Sequence, residues 1–282
     1  SFENQRLLTD KNTDDIPHGP LECVFTADEE GGTVVRVSAN PNLRSTRFSS
    51  PQKLYAEGGL DRIRSDTEEK DALLLSLGIN VNLAPVCDIS SDSSSFIYPR
   101  TLGQDAETTS DYIRTVVGQM KSDGIGMVLK HFPGYGGSAD THTGQALDPR
   151  PLSDFEKNDL LPFEAGIHAG AQAVLVSHNI VACLDADYPA SLSPAVHALL
   201  RDRLGFDGVI MTDDLAMQAV TDFRGNENAA VLAVQAGNDL IISSDFVTQY
   251  HAVLDAVKNG TLRKNYIEQA AQRVILWKIQ LG

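Results

Sequence analysis

The sequence predicts a parallel α/β barrel, and two observations favour this fold class. Six short apolar runs alternate with segments of helical periodicity, which is the pattern of a parallel sheet covered by helices. Almost every run ends in a polar cluster, as expected where the carboxyl ends of barrel strands form a mouth. Six strands are two short of a closed ring of eight. The opening Ser1-Phe2-Glu3-Asn4 looks like the exit of a strand, so we expect two upstream strands that this chain lacks.

The predicted strands are short and mostly apolar, which is typical of strands buried on both faces. In order, they are Cys23–Ala27, Ile79–Ala84, Ile125–Leu129, Ala173–Val176, Gly208–Met211 and Leu240–Ile242. The predicted helices are Thr67–Leu77, Ala106–Lys121, Ser153–Ala169, a helix from Pro194, Asn226–Ala236, Phe246–Lys258 and Lys264–Ile279. Ser153 and Glu156 form the pattern of a capping box, and a proline such as Pro194 is favoured at the first position of a helix.

An open doubly wound sheet is the competing architecture. Such a sheet would gather its binding site at one switch point, whereas the polar clusters here follow five of the six runs. No G-x-G-x-x-G motif follows a strand, and neither an internal repeat nor a linker is visible. We therefore expect residues 1–282 to form a single domain.

Composition narrows the class of protein and of partner. A hydrophobic content of 42% with 22% charged residues is ordinary for a soluble globular protein. The net charge of -15 argues against nucleic acid or an anionic membrane as partner. No apolar run approaches the ~20 residues of a membrane span. The cysteines, Cys23, Cys87 and Cys183, lack metal-site spacing, and we expect buried free thiols at Cys23 and Cys183.

The stretch from Lys130 to His142 carries the densest candidate chemistry. It leaves a buried strand and continues into a glycine-rich loop, a common place for functional groups. On that loop the carboxylate of Asp140 could hold the tautomer of His142 and raise its pKa, so that the imidazole transfers protons near neutral pH. A solvated loop is the alternative. Lys130 and His131 stand at the strand end, where a buried lysine needs a ligand's oxygens or an internal salt bridge with Asp28 or Asp88.

Further candidates follow the other strands. Asp213 ends the fifth strand, where a carboxylate can act as nucleophile, general base or metal ligand, and we expect its neighbour Asp214 to be structural. Arg36 and Arg100 could each clamp a ligand. The remaining expectations are that His178 supports the site from behind, that His18, His168, His197 and His251 lie on the surface, and that the Gly31-Gly32 turn packs Glu29 and Glu30 sideways.

Together these residues resemble the glycoside hydrolase family 3 β-N-acetylglucosaminidases, a class of β-N-acetylhexosaminidases. The matching stretches stand in family order and cover nearly the whole chain. They are Ala27-Asp28-Glu29-Glu30-Gly31-Gly32-Thr33-Val34-Val35-Arg36, Lys130-His131-Phe132-Pro133-Gly134 through Asp140-Thr141-His142, Ser177-His178 with Pro189-Ala190-Ser191-Leu192-Ser193, and Gly208-Val209-Ile210-Met211-Thr212-Asp213-Asp214-Leu215-Ala216-Met217.

The resemblance implies a TIM (β/α)8 barrel with two strands ahead of the first matching stretch. It implies retaining hydrolysis of a terminal, non-reducing β-linked N-acetylglucosamine through a covalent glycosyl-enzyme, with no metal or organic cofactor. Asp213 falls on the family's nucleophile, His142 on its acid/base and Asp140 on the dyad partner of that histidine. The sugar-binding positions of the family fall on Asp28, Arg36, Arg100, Lys130 and His131.

Three departures from the family pattern bear on substrate preference and leave the catalytic groups in place. Tyr135 stands where the family usually has a second histidine, Thr141 where it has a serine, and Glu29 where it has a glutamine.

Three other functions stay open at this stage. One is a phosphorylase of the same family, and another is a metal-dependent barrel hydrolase that uses His131, His142, His178 and Asp213. The third is a sugar-binding barrel without activity. The sequence also leaves open the aglycone (peptidoglycan fragments, chitooligosaccharides or glycoprotein glycans), the oligomeric state, and a cytoplasmic or secreted location.

Overall fold

A parallel sheet lies at the centre of the computed structural model, which describes residues 23–136, 144, 146–221 and 228–281. Its strands stand in the order β1-β2-β3-β5-β7, so neighbours in space follow one another along the chain. A second, two-stranded parallel sheet pairs β4 with β6. The strands are β1 Thr26–Ala27, β2 Val81–Asn82, β3 Gly126–Phe132, β4 Leu147–Asp148, β5 Ala173–Val176, β6 Ile180–Val181 and β7 Val209–Thr212.

Helices connect these strands. They are α1 Pro51–Ser76, α2 Ala106–Asp123, α3 Leu152–Asp154, α4 Leu160–Ala169, α5 Pro194–Ala198, α6 Gln218–Thr221, α7 Ala229–Ala236, α8 Phe246–Lys258 and α9 Lys264–Leu281. Two π-helical turns, Phe155–Asp159 before α4 and Leu199–Arg203 after α5, extend the helical path. The alternation of strand and helix confirms the α/β class with a parallel sheet.

Side chains of the central strands alternate between two apolar clusters. Val174 and Ile210 point to one face of the sheet, where they pack with residues of α1, α2 and α4. Leu175 and Met211 face the other side, where Trp277 of α9 joins the cluster. Because both faces are covered, every residue of β3, β5 and β7 is buried, which explains why these strands are continuous apolar runs.

Five of the six predicted strands are confirmed, whereas Leu240–Ile242 is not a regular strand. Only β1 and β2 are shorter than predicted, β3 extends further to Phe132, and β5 has the predicted bounds. Leu240 forms a single parallel bridge with Met211. The carbonyl oxygen of Ile210 accepts from the N–H groups of both Asp239 and Leu240, at 2.7 and 3.1 Å. The N–H of Ile242 donates to the side-chain Oγ1 of Thr212 at 3.1 Å. These irregular hydrogen bonds replace a ladder, so the segment lies beside β7 without continuing the sheet.

The described residues do not form a closed ring, because the main sheet runs from β1 to β7 with no pairing between its two edges. Two strands upstream of residue 1 remain a prediction.

Four predicted helix starts are confirmed, at Ala106, Pro194, Phe246 and Lys264, whereas the capping box at Ser153 and the start at Thr67 are wrong. Ser193 caps α5 by accepting from the N–H of Val196, with Pro194 following as predicted. At the predicted capping box the helix begins instead at Leu152 after Pro151, without a side-chain cap. Helix α1 begins at Pro51, well before the predicted Thr67. The prediction missed its first half because Gly58 and Gly59, whose dihedral angles are not helical, interrupt the helical periodicity of the sequence.

Three burial predictions are wrong. Cys23 and Cys183 are exposed, since the first precedes the short edge strand β1 and the second lies in the turn after β6. His197 is buried on α5, where its Nδ1 contacts the carbonyl oxygen of Ser193 at 2.8 Å. Cys87 is buried. Over the part of the chain that is described, no helix combines the length and apolar content of a membrane span.

Candidate active site

The carboxyl ends of the parallel strands bring the candidate residues to one edge of the sheet. Asp28 directly follows β1, Lys130 and His131 lie near the end of β3, and Asp213 directly follows β7. Lys130 and His131 are consecutive, so in a regular strand their side chains would point to opposite faces. The register between β3 and β5 shifts at this point, where Lys130 pairs with Leu175 but Phe132 pairs with the next residue, Val176. At this irregularity in β3 both polar side chains reach the same site, where each contacts the Glu30–Arg100 pair.

Lys130 is the centre of a buried ion-pair cluster. Its Nζ lies 2.6 Å from Asp28 Oδ1 and 2.6 Å from Glu30 Oε1. Glu30 also binds Arg100 in a bidentate pair, with 3.0 Å from Nε to Oε2 and 2.7 Å from Nη2 to Oε1. The side chains of Lys130 and Glu30 are 2% and 3% exposed, whereas that of Asp28 is 34% exposed. Asp28 is therefore the member of this group most open to a ligand.

His131 joins the cluster through both ring nitrogens. Its Nε2 lies 2.9 Å from Arg100 Nη2, and its Nδ1 lies 2.7 Å from Asp88 Oδ2. A guanidinium can only donate, so Nε2 accepts and the imidazole proton resides on Nδ1, which donates to Asp88. The backbone N–H of His131 donates to the same Asp88 oxygen at 3.1 Å. Asp88 thus fixes the orientation and tautomer of the ring.

The cluster is held in its charged form. Burial would raise the pKa of Glu30, but Lys130 and Arg100 lower it to about 2. Burial would likewise lower the pKa of Lys130, but Glu30 and Asp28 raise it above its ordinary value. Both partners therefore remain ionised at neutral pH, and the site presents fixed charges to a ligand.

Asp213 is a mostly buried carboxylate. Its Oδ1 accepts the N–H of Asp214 at 2.8 Å, and its own N–H donates to the carbonyl oxygen of Val176 at 3.1 Å. Burial would raise its pKa, but His178, His131, the N–H of Asp214 and Lys130 together hold that pKa below the usual range. An ionised carboxylate that faces cationic groups can act as a nucleophile.

His178 supports the turn at Asp213 from behind. It is fully buried, and its Nδ1 contacts Ser191 Oγ at 2.7 Å while its Nε2 contacts the carbonyl oxygen of Asp214 at 3.0 Å. Because a carbonyl only accepts, Nε2 carries the proton. Burial lowers the pKa of His178, which favours the neutral ring. At neutral pH the negative charge of Asp213 is therefore stabilised by Lys130 and by the N–H of Asp214.

The carboxylate of Asp214 makes structural hydrogen bonds, as the sequence predicts. Its Oδ1 accepts the N–H groups of Ala216 and Ser244, at 2.9 and 3.0 Å, and its Oδ2 accepts the hydroxyl of Ser244. These bonds tie the end of β7 to the segment beside it. The structure therefore assigns different surroundings to the two neighbouring aspartates.

Comparison with known proteins identifies the family of this chain. The sequence model of the family described as "Glycosyl hydrolase family 3 N terminal domain" matches residues 2–276. This chain belongs to glycosyl hydrolase family 3. It is accordingly a glycoside hydrolase.

The curated relatives from this family include β-hexosaminidases. Beta-hexosaminidase LpqI of Mycobacterium tuberculosis is 33% identical over 274 residues, covering 92% of this chain and 69% of the relative. A beta-hexosaminidase of Xanthomonas campestris is 33% identical over 231 residues, covering 80% of this chain and 68% of the relative.

Solved structures from family 3 share the fold. A family member from Mycobacterium smegmatis has a TM-score of 0.84 at 29% identity, covering 92% of this chain and 83% of that one. A β-N-acetylglucosaminidase from Paenibacillus has a TM-score of 0.83 at 29% identity, and this chain spans 50% of its length while 92% of this chain is covered.

Glu30 is the member of the cluster around Lys130 that the sequence did not predict. The prediction that the glycine turn packs both acids sideways holds for Glu29, whose Oε2 accepts the N–H groups of Arg36 and Val37 at 2.8 and 2.7 Å. It is wrong for Glu30, which the turn at Gly31 aims at Lys130 and Arg100. The available signal was charge balance, because Lys130 and Arg100 both need carboxylate partners if they are buried together.

The remaining sequence candidates divide into two groups. Arg36 is exposed and its side chain lies outside the cluster around Lys130, so its sugar contact stays a prediction. Asp140 and His142 lie outside the described residues. Over residues 23–136, 144, 146–221 and 228–281, no three histidine, cysteine or acidic side chains are grouped as metal ligands.

Proposed function

We propose that this chain is a retaining exo-β-N-acetylglucosaminidase that removes a terminal, non-reducing β-linked N-acetylglucosamine. The observation that carries the proposal is the ionised, largely buried carboxylate of Asp213 beside the charged cluster of Lys130, Glu30 and Arg100. Relatives named beta-hexosaminidase and a structural neighbour named β-N-acetylglucosaminidase support the choice of sugar. Residues 1–282 form a single catalytic domain of the TIM (β/α)8 type in this proposal, with two further strands upstream.

Asp213 attacks the anomeric carbon and forms a covalent glycosyl-enzyme. The low pKa of its carboxyl group suits both halves of the reaction. It keeps the attacking oxygen anionic at neutral pH, and it makes the carboxylate a good leaving group when water later cleaves the intermediate. Asp214 and His178 hold the turn that aims it.

The cluster around Lys130 binds the sugar. Asp28, with its partly exposed carboxylate, accepts hydrogen bonds from sugar hydroxyls, while Lys130, Arg100 and Arg36 donate to sugar oxygens. His131 has its proton on Nδ1 and its orientation set by Asp88, so its ring is presented to the ligand in one tautomer. Fixed charges of this kind stabilise a transition state without having to reorganise.

His142 supplies the proton chemistry, and Asp140 holds its ring. The imidazolium protonates the departing glycosidic oxygen, and the neutral ring then takes a proton from the attacking water. Most retaining glycosidases use two carboxylates about 5–5.5 Å apart, and in this proposal a histidine replaces one of them. This assignment rests on the match of Asp140-Thr141-His142 to the family pattern.

Turnover of an aryl β-N-acetylglucosaminide beside the matching aryl β-glucoside, with and without inorganic phosphate, tests the proposal. We expect cleavage of the first substrate, little of the second, and the same rate at every phosphate concentration. Proton NMR of the first-formed sugar should show the β-anomer. A phosphate-dependent rate would indicate the phosphorylase, an α-anomer would rule out retention, and loss of activity with a chelator would favour the metal-dependent hydrolase.

A further inference from the structure

Arg150 bridges two buried carboxylates outside the proposed catalytic and sugar-binding groups. Its Nε lies 3.0 Å from both oxygens of Asp148, and its Nη2 lies 2.8 Å from Asp148 Oδ2. On the other side, Nη1 and Nη2 lie 2.9 and 3.1 Å from the two oxygens of Asp159. Both carboxylate side chains are 2% exposed. The guanidinium thus uses its planar set of donors on two acids at once, a geometry that a lysine cannot reproduce.

The backbone of Gly134 and Gly136 lies directly on this bridge. A Cβ placed on Gly136 would lie 2.3 Å from Arg150 Nη2, and one placed on Gly134 would lie 2.7 Å from Asp159 Oδ1. Both glycines also have positive φ angles, +51° and +117°, which side chains rarely adopt. The chain therefore passes over the Arg150–Asp159 pair at a distance that only glycine allows.

Asp88 holds the opposite side of the same turn. Its Oδ1 accepts the N–H of Tyr135 at 2.8 Å, while its Oδ2 accepts from His131. Residues 134–136 therefore contact Asp88 of the sugar-binding cluster on one side and the Arg150–Asp159 pair on the other.

The Arg150 bridge also contacts the residue that ends the segment 137–147. Asp148 lies on β4, so one guanidinium contacts Gly136 before residues 137–147 and Asp148 after them. Holding the two ends of a chain segment close together restricts the conformations open to that segment. Asp140 and His142 belong to the bracketed stretch in sequence.

We propose that Arg150, held by Asp148 and Asp159, is a positioning residue that sets the two ends of the segment carrying Asp140 and His142. The inference rests on the proposed function, because it gives those two residues the acid/base task. Arg150 touches no reacting atom. Its effect comes through placement, and a displacement of about 1 Å can reduce a rate by 10²-fold.

The chain offers a matched control in Arg201. That arginine also meets a buried carboxylate, with Nη2 2.6 Å from Asp239 Oδ2, and it donates to the carbonyl oxygens of Phe206 and Gly208 at 2.7 and 2.6 Å. Gly208 directly precedes β7, so this network lies at the end of the sheet opposite to Asp213. Arg201→Lys removes a comparable buried network without touching residues 134–148.

The experiment compares wild type, Arg150→Lys and Arg201→Lys on two substrates with different leaving groups. For Arg150→Lys we expect kcat/KM, which reports the first step, to fall about 10- to 100-fold on N,N′-diacetylchitobiose, whose leaving group needs protonation. On a dinitrophenyl β-N-acetylglucosaminide, whose leaving group needs little protonation, we expect kcat/KM to fall less than about 3-fold. Arg201→Lys should lower the melting temperature by a similar amount and leave both kcat/KM values near wild type. Asp159→Asn, which keeps the size of the side chain, should reproduce the leaving-group effect if Arg150→Lys folds poorly.

Hydrogen exchange followed by mass spectrometry supplies a readout that does not depend on turnover. The amides of residues 134–136 and 146–148 should exchange faster in Arg150→Lys than in wild type or Arg201→Lys. Equal losses of kcat/KM on both substrates, or unchanged exchange in these amides, would overturn the positioning role. A wild type that cleaves neither substrate would instead overturn the proposed function, and the exchange comparison would still decide the role of Arg150.

Discussion

Asp213 and Asp214 are adjacent acids whose surroundings assign them to different tasks. Asp213 is mostly buried and faces Lys130 and His131, whereas Asp214 uses its oxygens to bind Ala216 and Ser244. Burial and the charge of Lys130 act on the pKa of Asp213, whereas local hydrogen bonds occupy the oxygens of Asp214. Single-residue substitutions can therefore separate chemistry from stability at this turn.

Asp213→Ala should abolish turnover of an aryl β-N-acetylglucosaminide, because no other group replaces its nucleophilic oxygen. Asp214→Ala should instead lower the free energy of unfolding by about 1 kcal/mol, the loss typical of a capping side chain, and keep measurable turnover. Steady-state rates and urea unfolding of both variants check this. Substantial turnover by Asp213→Ala, with activity lost only in Asp214→Ala, would exchange the two assignments.

His142→Ala should slow cleavage of a sugar leaving group by roughly 10²–10⁴, the range of general acid–base catalysis. An activated aryl leaving group needs little protonation, so its first step should be much less affected. Pre-steady-state release of the aryl group against release of a sugar aglycone measures the difference. Similar losses for the two leaving groups would contradict the acid role.

At the scale of elements, the turn between β1 and α1 places the acids of the cluster. Gly31 has a φ of +99°, and a Cβ there would lie 2.2 Å from the carbonyl oxygen of Ser49. The N–H of Gly31 donates to the carbonyl oxygen of Val34 at 3.2 Å. The turn sends Glu29 to the backbone of residues 36–38 and Glu30 to the cations. A change at Gly31 must move the backbone that carries both acids.

Gly31→Ala should lower the free energy of unfolding by more than the ~1–2 kcal/mol that a left-handed conformation costs an ordinary residue, because a backbone clash adds to that cost. It should also raise KM, since Glu30 orients Lys130 and Arg100. Gly260→Ala is the matched control, because Gly260 has a φ of +81° and a Cβ added there would meet no heavy atom within 4 Å. Thermal unfolding of both variants compares them, and equal melting temperatures would show that the Ser49 contact is unimportant.

At the scale of the whole molecule, a buried acid links stability to pH. Asp71 on α1 is completely buried. Burial, together with the nearby carboxylate of Asp123, raises its pKa from 3.8 to about 8. Between these two values the native state keeps a proton that the unfolded chain releases. The free energy of unfolding should therefore fall as pH rises from about 4 to about 8.

Asp71→Asn removes this titration and nearly preserves the shape of the side chain. Relative to wild type, the variant should gain roughly 4 kcal/mol in the free energy of unfolding between pH 5 and pH 9. Urea unfolding at the two pH values measures the change. Asp111→Asn, at an exposed position on α2, should follow the wild-type pH dependence, and the same parallel behaviour in Asp71→Asn would show that Asp71 is ionised at pH 5.

Local sequence patterns predict the elements of this protein better than their ends. The strands β3, β5 and β7 are recognisable because strands buried on both faces must be apolar throughout. The first half of α1 escapes a periodicity argument because Gly58 and Gly59 break its pattern. The segment at Leu240 has the apolar character of a strand, but that character does not reveal that its N–H groups meet a side chain and a shared carbonyl.

The sequence by itself determined the alternation of strands and helices, the strand ends that carry Lys130 and Asp213, and the family motifs, because burial and chemistry restrict residue types locally. Only the tertiary structure decided which charges meet. Glu30 binds an arginine 70 residues away, and Lys130 binds an aspartate 102 residues away. The register shift after Lys130 and the bridge made by Arg150 likewise depend on how distant segments approach. Such pairings follow from the packing of the sheet, and no periodicity within a segment encodes them.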